Sequence, residues 1–225
     1  MIITFKKKNL GIGLASEICI WKDKSDCGDC KLDKQTFCRP KLKYMIYFMS
    51  PLLIGLIPVI LGVLFSNFEI IMKLFFFIGW LAYAMFFFSV WESHMLCNHC
   101  PYYANDAQKT LHCPIDRGKL KTGKYKPGPL SLSEKIQFFL GSSILFMYPI
   151  PFLIIGGLLI PLIFLIIGVV TWVIVIQLKV CIACVNFACP LNRVNKDIKN
   201  EFLRLNPIIK EAWEKSGYKF ELEQE

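Results

Sequence analysis

Two apolar blocks, residues 44–91 and 136–178, decide most of what this chain can become. A bilayer core of about 30 Å is crossed by about 20 helical residues at a rise of about 1.5 Å each. Each block is therefore too long for one crossing and right for two. The first breaks at Ser66-Asn67-Phe68-Glu69, giving spans Tyr44–Phe65 and Ile70–Trp91. The second breaks best at Gly156-Gly157, giving Ile136–Ile155 and Leu158–Leu178. Breaking it at Pro149-Ile-Pro151 would leave a first helix too short to cross. Runs apolar on every side argue against a pair of buried helices in a soluble protein. The expected fold is an all-α integral membrane protein: a four-helix transmembrane bundle built as two hairpins, with a small cysteine-rich cytoplasmic lobe.

Within the spans, Pro51 and Pro58 are expected to kink the first helix, and Lys73 lies close enough to a boundary to snorkel outward. Gly55, Gly62, Gly79 and Gly168 are expected to serve helix contact. Ser131-Leu-Ser-Glu134 reads as a capping box that starts the third helix.

Charge sets the orientation. Of 26 Lys and Arg, ten precede the first span, seven lie between the second and third, and eight follow the fourth; only Lys73 belongs to the other side. Basic residues are retained on the cytoplasmic side of membranes. Both termini and the middle loop are thus expected in the cytoplasm of a cell-membrane protein. The chain divides into a cysteine-rich N-terminal segment 1–43, a hairpin 44–91, a Cys/His loop 92–135, a second hairpin 136–178 and a tail 179–225. The start, with Lys6-Lys7-Lys8 followed by polar residues, lacks the apolar stretch of a cleavable signal and is expected to persist. The net charge of +9 fits anionic headgroups on the cytoplasmic side better than nucleic acid, which is not expected as a partner. A membrane-protein partner is compatible with the pattern.

Nine of the ten cysteines fall into three triads. These are Cys27-x2-Cys30-x7-Cys38, Cys97-x2-Cys100-x12-Cys113 and Cys181-x2-Cys184-x4-Cys189, each with a proline directly or one residue after the last cysteine. Cys19 offers a fourth ligand to the first. His94, His99 and His112, the chain's three histidines, flank the second, and His112 beside Cys113 is the best placed to ligate. Two thiolates separated by two residues can grip one ion from a single turn. Structural disulfides conflict with a reducing cytoplasm. The expected metal is zinc, ahead of an iron–sulfur cluster, which uses the same thiolates but a tighter spacing. Thiol redox chemistry is the third reading.

The span centres carry no ionisable group and no histidine, which argues against a transporter, a proton pump or an intramembrane haem site. Tyr125, set among lysines, could stack on a nucleotide, although headgroups explain the charges more simply. In the tail, Val194, Ile198, Phe202 and Leu205 recur at helical spacing, and Asn206-Pro207 reads as the cap and first residue of a further helix reaching Trp213 and ending near Gly217. No catalytic constellation is present, and the expected role is a scaffold or accessory subunit.

Cys97-Asn-His-Cys100-Pro101 and Cys184-x4-Cys189-Pro190, placed after the second and fourth spans, resemble the polyferredoxin-like membrane subunits that pass electrons from quinol. That resemblance implies an iron–sulfur electron carrier. Those subunits repeat a tighter cysteine spacing and add ferredoxin domains that this chain lacks. Four spans with a CxxC are also similar to the vitamin K epoxide reductase type, whose redox pair works at the outer face.

Overall fold

The computed structural model describes residues 18–22, 30–39, 41–105, 107–115 and 118–220 of the chain. The expected uncleaved start and Cys27 lie outside the described residues.

Among the described residues the structure is all-helical, without a strand, and four helices are long and apolar enough to cross a membrane. They are α1 (Leu42–Leu64), α2 (Ile70–His99), α3 (Leu132–Ile155) and α4 (Leu159–Val180). Pro51 and Pro58 sit inside an unbroken α1. Gly157 adopts φ +64 between α3 and α4, a left-handed turn that glycine makes without strain. The Ser131 capping box is present in full: its hydroxyl accepts the Glu134 N–H, and the Glu134 carboxylate accepts the Ser131 N–H. One boundary differs. Beyond Phe86 the expected second span continues through a π-helical turn, Phe87–Trp91, and further short turns as far as His99. Cys97 lies in the last of these turns, Cys97–His99.

Helices adjacent in sequence form hairpins in connectivity, but the principal seams cross between hairpins. The most extensive helix contact is that of α1 with α4. It rests on Gly55 and Gly168: a Cβ added to Gly168 would lie 2.5 Å from the Gly55 Cα. Such close approach is how membrane helices gain packing without a hydrophobic drive between them. The α2–α3 seam uses side-chain donors instead. Trp80 Nε1 donates to the Leu145 carbonyl (3.1 Å), Tyr83 to the Gly141 carbonyl (2.9 Å) and Tyr148 to the Phe75 carbonyl (3.1 Å). Between the seams, Val59, Val63, Phe76, Leu153 and Leu165 form a buried cluster.

At the far end of the bundle lie two tight turns. Phe68 of one packs against Gly156 of the other, and Lys73 Nζ donates to the Leu64 carbonyl at 2.9 Å. The single basic residue on this side thus occupies a helix C-terminus, where a positive charge is favoured.

At the near end the remaining segments gather into a lobe. Its core joins Ile18 and Ile20, Leu32, Tyr102 and Ala104, Leu130, Val185 and Phe187, and residues of two tail helices, α5 (Lys196–Leu205) and α6 (Pro207–Lys215). The tail helices match the sequence pattern. They turn Phe202, Leu203, Ile209 and Trp213 into this core, so their apolar faces cover the loops.

Replacing Gly168 with Ala forces α1 and α4 apart and is expected to cost about 1–3 kcal/mol, the usual range for overpacking. Unfolding of the detergent-solubilised protein by titrated denaturing surfactant measures it. An unchanged midpoint would contradict the seam.

Candidate functional site

The nine described cysteines are all thiols rather than halves of disulfides. The lobe brings their three segments together through side-chain and loop contacts. The Phe37 N–H donates to the Ala183 carbonyl at 2.8 Å, linking the first segment to the third. Tyr102 donates its hydroxyl to the Phe37 carbonyl at 2.5 Å, linking the second to the first. Asn186 Nδ2 donates to the Leu96 carbonyl at 3.1 Å, which ties the third to the residue before Cys97. Trp21 Nε1 reaches the Pro101 carbonyl at 3.1 Å.

Tyr102 is the hub. It is 4% exposed, and Cys113, Cys100, Cys38 and Cys184, drawn from all three segments, lie within electrostatic reach of its phenol. Burial, followed by these thiols, pushes its ionisation well above the usual range for tyrosine.

Around the third triad, loop geometry is organised about sulfur. The backbone at Asn186 acts on Cys184, and that at Leu191 on Cys189, in the direction that favours the thiolate. Asn192 Nδ2 donates to the Cys184 and Asn186 carbonyls at 2.7 and 3.0 Å and fixes the loop between. Gln177 Nε2 approaches Cys181 Sγ at 3.7 Å. Burial pushes the Cys181 thiol up to about 11 and the Cys184 thiol up to about 12, and raises Cys189 further. Part of the Cys184 residue remains at the surface although its sulfur is enclosed.

The second triad lies beside it. Lys119 Nζ bridges the Glu92 carboxylate (2.8 Å) and Cys97 Sγ (3.7 Å). Cys97 packs with Tyr103 and Leu111, while Cys100 and Cys113 contribute to the shared core.

The first segment has a different arrangement. Cys19 and Cys38 act on each other, the ionisation of one opposing that of the other. Thr36 Oγ1 lies 3.1 Å from Cys38 Sγ. Cys30 is close enough to Cys19 to act on it electrostatically. Asn206 holds Cys19 from the tail: its Oδ1 accepts the Cys19 N–H at 2.7 Å, and its Nδ2 donates to Cys19 Sγ at 3.3 Å and to the Phe202 carbonyl at 2.6 Å. Asn206 does stand at the N-cap position of α6, but its side chain makes no capping bond there, because these three bonds occupy it.

The histidines separate. His99 is 7% exposed, with Nδ1 donating to the Gly128 carbonyl (2.8 Å) and Nε2 at 3.3 Å from Glu134, so both nitrogens are engaged. His94 Nδ1 donates to the Val90 carbonyl at 2.9 Å. His112 Nδ1 donates to the Thr110 carbonyl at 3.2 Å, a tautomer that leaves the lone pair on Nε2. Tyr125 packs inward against the lobe core near Cys100, and burial raises its ionisation, so it is no surface platform for a nucleotide.

Among the described residues, no group of three or more His, Cys, Asp and Glu is already disposed to hold a metal ion. Cys100, Cys113 and Cys184 thus meet around Tyr102 without forming a ready ligand set. The first triad is described without Cys27. The thiols' polar partners were not legible from cysteine spacing. Asn186 lies inside the third motif and Tyr102 two residues beyond a CxxC, but Asn206 sits 187 residues from Cys19 and no local pattern announces it.

The chain matches no known protein family, no curated protein and no solved structure.

Asn206→Ala leaves the Cys19 N–H without its acceptor and is expected to cost about 1–3 kcal/mol, the price of an unmade buried bond. Hydrogen exchange at Cys19 should accelerate while exchange in α1 stays unchanged. Equal protection of Cys19 in both proteins would contradict the clamp.

Proposed function

We propose that this chain is a multi-pass membrane protein whose lobe faces the cytoplasm and binds zinc through the thiols of its second and third triads, serving as a scaffold or accessory subunit. The ligands on this reading are drawn from Cys97, Cys100, Cys113, Cys181, Cys184 and Cys189, with His112 Nε2 as the nitrogen donor. The observation that carries it is the bond from Asn186 Nδ2, inside the third cysteine loop, to the Leu96 carbonyl beside Cys97, which brings the second and third triads together; the backbone at Asn186 and Leu191 adds to it by favouring ionisation of Cys184 and Cys189. Backbone N–H groups aimed at sulfur stabilise the thiolate, the form that ligates metal. Burial opposes ionisation of these thiols, and a dication would supply the missing compensation. Asn186 and Asn192 would act as outer supports that orient the ligand loop. A metal would have to draw the thiols closer than they stand.

Zinc is favoured over iron–sulfur because CxxC pairs from separate loops suit a four-coordinate ion. The tight cysteine run of a ferredoxin is absent. Orientation rests on charge: all basic residues but Lys73 lie on the lobe side of the spans. The same residues suit anionic headgroups, although Lys119 and Lys121 are turned onto protein partners.

Protein purified anaerobically is expected to carry zinc and to show no band near about 400 nm, where sulfide-bridged iron absorbs on general grounds. Cys184→Ala should lower its zinc content. Iron with sulfide would establish the electron-carrier reading instead, and protein without metal would leave thiol chemistry. For orientation, a fluorescent protein fused to the C-terminus in a bacterial host should fluoresce, and alkaline phosphatase fused there should be inactive. The reverse pair of results would invert the topology.

A further inference from the structure

We infer that the lobe-side edge where α1 meets α4 is a binding site for an anionic phospholipid, held by Lys41, Lys43, Lys179 and Arg193. This narrows the headgroup contact proposed above to one edge of the bundle and rests on that contact. It is independent of metal and of the cysteines.

The edge is assembled by the two helices themselves. Tyr44 and Phe48 of α1 pack in one cluster with Ile176 and Val180 of the π turn that ends α4. The bond from the Phe37 N–H to the Ala183 carbonyl ties the segment leading into α1 to the turn leaving α4. Lys41 and Lys43 therefore enter the membrane beside the point at which Lys179 leaves it. The Arg193 N–H donates to the Cys181 carbonyl at 3.0 Å, which brings a fourth cation to the same end. All four residues are exposed, and among the described residues no carboxylate pairs with any of them. Lys43 Nζ lies 5.0 Å from the centre of the Tyr44 ring, a contact that positions its charge without neutralising it.

The α2–α3 edge differs, because its lysines are engaged by the protein. Lys119 Nζ donates to the Glu92 carboxylate at 2.8 Å and Lys126 Nζ to that of Glu134 at 3.0 Å. Lys121 donates to the carbonyls of Tyr103 and Asn105. Basic charge on the lobe side is thus uneven around the bundle, and a cluster of four exposed cations stands at the α1–α4 edge.

Apolar side chains are interleaved with these cations. Leu42, between Lys41 and Lys43, is 67% exposed, and Ile182, in the turn after α4, is 47% exposed. Cations above and exposed aliphatic groups beside them suit a molecule with an anionic head and acyl chains. The ammonium and guanidinium groups would donate to phosphate oxygens, and Leu42 and Ile182 would meet the upper part of the chains.

The test uses the full chain in neutral detergent. Binding of phosphatidylglycerol, and of phosphatidylcholine with the same acyl chains, is titrated by native mass spectrometry. Phosphatidylglycerol is expected to bind more tightly. Each basic residue near an anionic surface contributes about fivefold, so Lys43→Gln/Lys179→Gln/Arg193→Gln should weaken phosphatidylglycerol binding by at least about tenfold. The charge-matched Lys109→Gln/Lys124→Gln/Lys135→Gln should keep it, and so should Lys43→Arg/Lys179→Arg/Arg193→Lys. In the unaltered protein, phosphatidylglycerol with a diazirine near the headgroup end of its acyl chain should label around Leu42 and Ile182. That readout does not depend on the folding of any variant. Equal weakening in both glutamine triples, loss confined to the second, or label confined to α2 and α3 would overturn the edge and leave a general headgroup contact standing. Equal binding of the two lipids by the unaltered protein would overturn both. Displacement of phosphatidylglycerol by free glycerol phosphate would assign the site to a soluble phosphate and overturn the lipid.

Discussion

A hydrocarbon layer offers no partner to a backbone N–H or carbonyl, so a chain that crosses it must do so as complete helices and keep its irregular segments outside. With four crossings, both termini and the middle loop necessarily emerge on one side. Everything that is chemically distinctive here follows from that constraint. Three cysteine segments separated by long apolar blocks become neighbours, and the opposite side keeps only two tight turns. The helices themselves are joined by two kinds of seam. One is a close glycine contact between α1 and α4; the other is a row of Trp and Tyr donors on carbonyls between α2 and α3. Both fix geometry without placing a charged group at a span centre.

The lobe has little regular structure to organise it. Short turns and loops leave many backbone groups to be satisfied by side chains, and Tyr102, Asn186, Asn192 and Asn206 perform that task. These same residues position sulfur. The thiols consequently fall into two environments. In the third triad burial dominates and holds the protons on, against N–H groups that favour their loss. In the first, the Thr36 hydroxyl lies against Cys38 and the Asn206 amide against Cys19.

What the sequence disclosed was whatever depends on short-range pattern. The number of spans, the break at Gly156-Gly157, the Ser131 capping box and the two tail helices all follow from composition or local spacing, and the structure has each of them. The continuation of α2 past Trp91 was not legible, because Glu92-Ser93-His94 ends the apolar run on which the span was read. Which helices would share a seam was also hidden, since Gly55 and Gly168 look alike to any number of partners. Asn206 shows the limit best. Its placement before Pro207 announced the start of a helix correctly, but its side chain serves a cysteine at the other end of the chain. Neighbourhood of the triads could be anticipated from topology, whereas the contacts that set each thiol's chemistry are tertiary.

The claim on which the functional account stands is that sulfur from the second and third triads forms a metal's first coordination shell. X-ray absorption at the zinc edge of the purified protein measures this directly. A shell dominated by sulfur at about 2.3 Å, with room for one nitrogen at about 2.0–2.1 Å, is expected. A shell of nitrogen and oxygen alone would contradict it.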